Sequence, residues 1–147
     1  MDKILEIENL RVSYHTYAGE VQSVRGVSFD VEKGEAVAIV GESGCGKSVT
    51  AKSIMRLIKM PPGEIKEGSK ILYRGKNVLD FDKKELSAYR GGEVSIIFQD
   101  ALASLNPTMT VGKQIVENLM MHRNMSKEEA YKEAVNEKYR FFSFGDA

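Results

Sequence analysis

Residues 41–48 read Gly41-Glu42-Ser43-Gly44-Cys45-Gly46-Lys47-Ser48, the pattern G-x-x-x-x-G-K-[ST]. No other stretch restricts the fold as strongly. Its glycines let successive backbone N–H groups turn inward into a concave nest for an anion. Upstream stands the short apolar run AVAIV (36–40), of the kind found in buried parallel strands. Downstream, Ala51, Ile54, Met55 and Ile58 recur at helical spacing, so the loop feeds a helix N-terminus, where negative charge is favoured. Strand, loop and helix in this order are the context that gives the pattern its meaning. The expectation is an α/β domain that holds a nucleotide by its phosphates. Lys47 would reach the β- and γ-phosphates and Ser48 would offer its hydroxyl to Mg²⁺, with the backbone of Gly41, Glu42, Ser43, Gly44, Cys45 and Gly46 forming the cradle. A thiol at a helix N-terminus can be acidified and reactive; for Cys45 the favoured reading is a small space-filler whose N–H does the binding.

Composition narrows the class. The 147 residues carry 21 basic and 21 acidic side chains and a formal net charge of zero, so no bulk electrostatic attraction to nucleic acid is expected. One cysteine leaves no internal disulfide and suits a reducing compartment. The opening MDKILEIENL mixes acids with its apolar residues, unlike a signal peptide. No apolar run approaches the roughly 20 residues that span a bilayer. A cytoplasmic location without direct membrane insertion is expected, any attachment running through a partner protein.

Around the loop, Leu10, Val12 and Tyr14, then Val27, Phe29 and Val31, alternate with polar residues as half-buried strands do. HTYAGE (15–20) supplies the turn between them. MPPGE (60–64) ends the helix, because proline cannot continue it. SKILYRGKNVL (69–79) reads as a hairpin turning near Gly75, DKKELSAYR (82–90) as a short helix, and VSIIF (94–98) as a second buried strand. TVGKQIVENLMMH (110–122) reads as a helix with Val111, Ile115 and Leu119 on one face. Ser126 and Glu129 have capping-box spacing and open a last helix, with Tyr131, Ala134 and Val135 expected inward. Met120, Met121 and Met125 suit an adaptable contact surface or a core equally.

GESGCGKS, preceded by GVSFDVEKGEAVAIV and followed by IIFQDALASLNPTMTVGKQI, resembles the ATP-binding subunits of ABC transporters, most closely those of di- and oligopeptide importers. The resemblance covers residues 3–135, and FQD…SLNP…TVG is its most specific part. It implies a P-loop core of ABC type with an N-terminal antiparallel β subdomain. Subdomain and core together take up residues 1–99, followed by the beginning of a helical subdomain over 100–140 and an atypical tail over 136–147. It implies ATP and Mg²⁺ as ligands, permease subunits and a second ATP-binding subunit as partners, and a peripheral position on the inner face of the cell membrane. Tyr14 stands where the family stacks an aromatic ring on adenine, with Tyr17 a weaker candidate. Gln99 matches the glutamine that touches Mg²⁺ and orients the attacking water. Val49 replaces a common threonine, which removes a hydroxyl from the α-phosphate and leaves the backbone N–H.

Other family parts are absent from the sequence: the L-S-G-G-Q signature, an apolar strand ending in aspartate then glutamate, and a switch histidine. Arg90-Gly91-Gly92-Glu93 mimics the signature but almost abuts the following apolar run, and Asp100 is not expected to hold metal. Neither His15 nor His122 has the switch context; His122 suits the C-terminal end of its helix. Past Val135 the resemblance fades into NEKYRFFSFGDA, with Phe141, Phe142 and Phe144. A truncated, incomplete cassette that binds ATP with little hydrolysis of its own is the alternative expectation, since loss of a general base alone forfeits about 10²–10⁴ in rate.

Overall fold

The computed structural model describes residues 2–100 and 102–137. The aromatic tail with Phe141, Phe142 and Phe144 lies outside the described residues. The chain divides into two units, Met1–Arg90 and Gly91–Ala147.

The first unit is built on a long hairpin, β1 (Lys3–Thr16) and β2 (Gly19–Glu32), paired antiparallel from Lys3↔Glu32 to Thr16↔Gly19. Gly19 takes φ +119°, and the Thr16 hydroxyl donates to its carbonyl at 2.9 Å, closing the turn. The other edge of β1 is shared. Leu5–Glu8 pair with β4 (Lys70–Tyr73), and Val12–Tyr14 pair with the three-residue β3 (Gly63–Ile65). A short β5 (Lys76–Asn77) folds back on β4 around Arg74 and Gly75, both at positive φ, as a tight two-residue hairpin demands. All pairings are antiparallel, so this sheet is the expected β subdomain.

Ile7, Leu10, Val12, Ile71 and Val78 are all at most 2% exposed and form the centre of the unit. Each such side chain contributes roughly 1.5–3 kcal/mol on leaving water. Tyr89 joins them, edge-on to Tyr73 (5.2 Å between centroids) and to Phe81 (5.6 Å).

The helix after the glycine-rich loop, α1 (Lys47–Ile54), is shorter than its apolar periodicity suggests. Met55 caps it and Arg56 turns to φ +53°, yet Met55 and Ile58 both remain 6% exposed. The Tyr89 hydroxyl donates to Ile54 O at 2.8 Å, and the Arg90 guanidinium donates to Met55 O and Arg56 O. Orphan carbonyls at the helix end are thereby satisfied. Residues 83–88 form α2 (Lys83–Ala88), opened by a capping box between Asp82 and Glu85.

Two expectations need correction. Residues 36–40 and 94–98 do not form buried strands: Val40 is 91% and Ile97 93% exposed. A parallel strand takes its hydrogen bonds from neighbours across the sheet. Among the described residues neither run has a ladder partner beyond an isolated bridge at Val94. Apolar composition marks a strand's burial in a complete sheet and does not supply that sheet.

In the second unit, α3 (Val111–Arg123) and α4 (Lys127–Asn136) pack through Val116, Leu119 and Ala130, with Ile115, Met125 and Ala134 against them. Ile115, Leu119 and Ala134 face inward as expected, and the other three positions differ. Val111 (42%), Tyr131 (42%) and Val135 (73%) are exposed, and Val116 and Ala130 take the buried places. Ser126 and Glu129 form the predicted capping box. Met125 packs inward, while Met120 and Met121 stay exposed.

Candidate nucleotide site

The glycine-rich loop sits in the first unit between the exposed 36–40 run and α1. Gly46 is the N-cap of α1 at φ +93°, and no side chain caps the helix there. A Cβ on Gly46 would overlap the backbone carbonyl oxygen of Ser23 on β2, so the loop passes directly over that strand. Gly44 is also at positive φ (+81°), with open space around it. A Cβ on Gly41 would come within 2.5 Å of Cys45 Sγ, so the thiol fills the room that glycine leaves.

Lys47 Nζ donates to Gly41 O at 2.5 Å and Glu42 O at 2.7 Å, and lies 3.6 Å from Cys45 Sγ. The ammonium therefore bridges the carbonyls at the start of the loop. The Thr50 hydroxyl and N–H both bond Gly46 O, at 2.9 and 2.8 Å, which fixes the first helical turn. Ser48 is exposed on that turn, and Val49 follows it half-buried.

A cleft of about 490 Å³ adjoins the loop. Its lining joins Gly44, Gly46 and Lys47 of the loop to Gln22, Ser23 and Arg25 of β2, with Val27, Ile39 and Val40 among its apolar residues. The combination of donors is chemically specific: helix-start amides without a side-chain cap, a lysine ammonium, and glycines that admit no Cβ. These residues fit a polyphosphate, whose oxygens accept hydrogen bonds and carry the countercharge.

Tyr14 is half-buried on β1, opposite Gly63 and Val21. Its ring edge lies over Gly63, 3.3 Å from where a Cβ there would stand. Tyr17, in the turn, is fully exposed. His15 Nε2 meets Glu64 Oε2 at 2.6 Å, and Lys66 Nζ bridges Glu64 (2.7 Å) and Glu20 (2.8 Å). Lys66 foremost, with His15 beside it, holds the Glu64 carboxyl below its ordinary range; Lys66 and Ser13 do the same to Glu20.

Gln99 belongs to the second unit, exposed at a bend. Asp100 accepts from Ala103 N at 3.1 Å and caps the short 3-10 turn Leu102–Ser104. Gln114 was not anticipated. From α3 its side chain accepts from Asn106 N at 3.0 Å and donates to Asn106 O (3.1 Å) and Met109 O (3.0 Å), tying down the SLNP segment. The available signal was its place in TVGKQI, within the specific run. The His122 ring covers Gly91, where a Cβ would approach it to 2.7 Å. Among the described residues, no three His, Cys, Asp or Glu side chains gather to hold a metal, and no helix is long and apolar enough to cross a membrane.

The family model for the ABC transporter matches residues 24–146, and the chain belongs to that family. It is 55% identical over 133 residues to the oligopeptide transport ATP-binding protein OppD of Bacillus subtilis, covering 90% of this chain and 37% of that protein. It is 53% identical over 135 residues to the dipeptide transport ATP-binding protein DppD of Lactococcus lactis, covering 91% and 38%. The chain thus spans under two-fifths of the length of these relatives. Among solved structures, the dimeric structure of MJ0796, a bacterial ABC transporter cassette, matches with a TM-score of 0.72 at 26% identity, over 90% of this chain and 54% of that one. The same cassette bound to ADP and Pi in a post-hydrolysis state matches at 0.69 and 25% identity. These likenesses bear out the resemblance read from GESGCGKS and SLNP, and with it the α/β cassette fold.

Proposed function

We propose that this chain provides the ATP-holding part of an ATP-binding subunit in a peptide importer. One observation carries the reading: Lys47, Gly46 and the uncapped start of α1 converge beside a cleft, on a chain more than half identical to an oligopeptide transport ATP-binding protein. The loop backbone from Gly41 to Gly46 and the Ser48 and Val49 amides receive the phosphates. Lys47 leaves its loop carbonyls to neutralise the β- and γ-phosphates. The Ser48 hydroxyl would hold Mg²⁺, which would supply charge neutralisation at the γ-phosphate, a role the family resemblance also gives Gln99. Tyr14 stacks on adenine, and Gln99 orients the attacking water. The partners are permease subunits and a second ATP-binding subunit, on the inner face of the membrane.

A second reading is that these residues bind ATP and turn it over poorly unaided. It is supported by the absence of the signature, the glutamate and the switch histidine from the sequence. ATP hydrolysis by the purified chain, set beside Lys47→Ala and Gln99→Ala, separates the two. Turnover abolished by Lys47→Ala and reduced by Gln99→Ala supports the first reading and defeats the second. ATP binding without turnover supports the second.

A further inference from the structure

Helix α1 carries the phosphate-facing amides at its start and is only eight residues long. Isolated helices of fewer than about 12 residues are marginal in water, so its direction is set by what holds it. Its own buried residues, Thr50 and Ser53, direct their hydroxyls back to carbonyls of the same turns, Gly46 O and Val49 O. The near end rests on β2, where Gly46 lies over the Ser23 carbonyl. The far end is gripped by residues 89 and 90. Three successive carbonyls each receive one donor: Ile54 O from the Tyr89 hydroxyl (2.8 Å), Met55 O from Arg90 Nε (2.8 Å), and Arg56 O from Arg90 Nη2. Arg56 in turn donates to Phe81 O at 2.7 Å. The grip is itself anchored, since Tyr89 is buried edge-on to Tyr73 and Phe81 and Arg90 is half-buried. All of these residues belong to the first unit.

One donor would suffice to cap one carbonyl. A planar guanidinium with two donors in a fixed fork, beside a buried phenol, also defines where the helix end lies and which way it points. Positive charge there is favoured by the helix dipole as well. The helix is roughly 12 Å long at 1.5 Å per residue. With its near end on Ser23, the far end decides the axis along which the first amides and Lys47 are presented. We propose that Arg90, with Tyr89, is a positioning residue for phosphate binding, aiming α1 at the nucleotide from its far end. The inference rests on the glycine-rich loop being the ATP site.

The test measures the affinity of the whole chain for ATP and for inorganic tripolyphosphate by calorimetry, at a temperature where each variant is folded. Arg90→Ala weakens both ligands about three- to tenfold, the loss of roughly one hydrogen bond to the ligand. Both suffer because the misdirected group is the phosphate cradle. Arg90→Lys serves one carbonyl at a time and falls between. Ile71→Val, in the buried centre on β4 and outside the grip, lowers the melting temperature and leaves both affinities unchanged. Amide spectra follow the same division: the Gly46 and Ser48 signals move in the Arg90 variants and stay in place in Ile71→Val. Unchanged affinity in folded Arg90→Ala overturns the inference; if that variant does not fold, unchanged affinity in Arg90→Lys does so. An equal loss in Ile71→Val also overturns it, because stability alone would then explain the effect. Lys47→Ala marks the site itself. Undiminished ATP affinity in Lys47→Ala defeats the ATP-site reading and the inference with it, whereas loss there with affinity retained in the Arg90 variants defeats the inference alone.

Discussion

Gly46 rests on Ser23: a single methyl group at Gly46 would run into the Ser23 carbonyl oxygen. The loop is thereby held against β2 at the point where α1 begins. Gly46→Ala must also accept φ +93°, and strained backbone of this kind costs about 1–3 kcal/mol. Gly44 has a similar φ and open space, so Gly44→Ala carries the strain without the collision. Urea unfolding is expected to rank Gly46→Ala as the more destabilised, with ATP affinity falling further in the same variant.

Lys47 is engaged with Gly41 O and Glu42 O, in a part of the molecule open to water. Removing it changes stability by less than about 1 kcal/mol, because exposed polar contacts exchange readily with solvent. Charge-assisted bonds to phosphate are stronger, near 1.5–3 kcal/mol. Lys47→Ala should therefore weaken ATP binding by roughly ten- to a hundredfold at nearly unchanged melting temperature, a split that calorimetry and thermal unfolding can measure on one sample.

Tyr89 is 2% exposed, and burial pushes its phenol up to about 12 from an ordinary value of 10.0. The folded state thus favours the neutral ring. That contribution is fully present below pH 10 and is lost as pH rises toward about 12, where the folded phenol ionises as well. Tyr89→Phe loses the bond to Ile54 O, worth about 0.5–1.5 kcal/mol. Denaturant melts between pH 9 and 11 should show a shallower alkaline decline in this variant than in the unaltered chain.

Gln114 fastens residues 106–109 to the first turns of α3. Gln114→Ala frees that segment without opening the Val116–Leu119–Ala130 cluster. Amide exchange is expected to accelerate at Asn106, whose N–H loses its acceptor, and to stay unchanged at Leu119. Equal acceleration at both would mean that Gln114 supports the whole helical pair.

Local chemistry was legible in the sequence; the completion of the sheet was not. The Ser126–Glu129 capping box, the turn at Gly75 and the loop opening onto α1 are set by residues within a few positions of one another. The strands at 36–40 and 94–98 depend on neighbours that the described residues do not supply, so their apolar runs misled. On α3, Ile115 and Leu119 lie inward as read, whereas Val111 stands exposed at the helix start and Val116 joins Ala130 in the buried cluster. Gly41, Gly44, Gly46, Lys47 and Ser48 were read directly from their pattern. The pairing of His15 with Glu64 joins positions far apart in the chain, and no periodicity announces it.

Titration of this chain with ATP in the presence and absence of Mg²⁺, beside Lys47→Ala, tests the central claim most directly. Saturable binding at one site, strengthened by Mg²⁺ and lost or greatly weakened in Lys47→Ala, is the predicted result. Absence of binding by a folded chain, or binding that Lys47→Ala leaves intact, would contradict it.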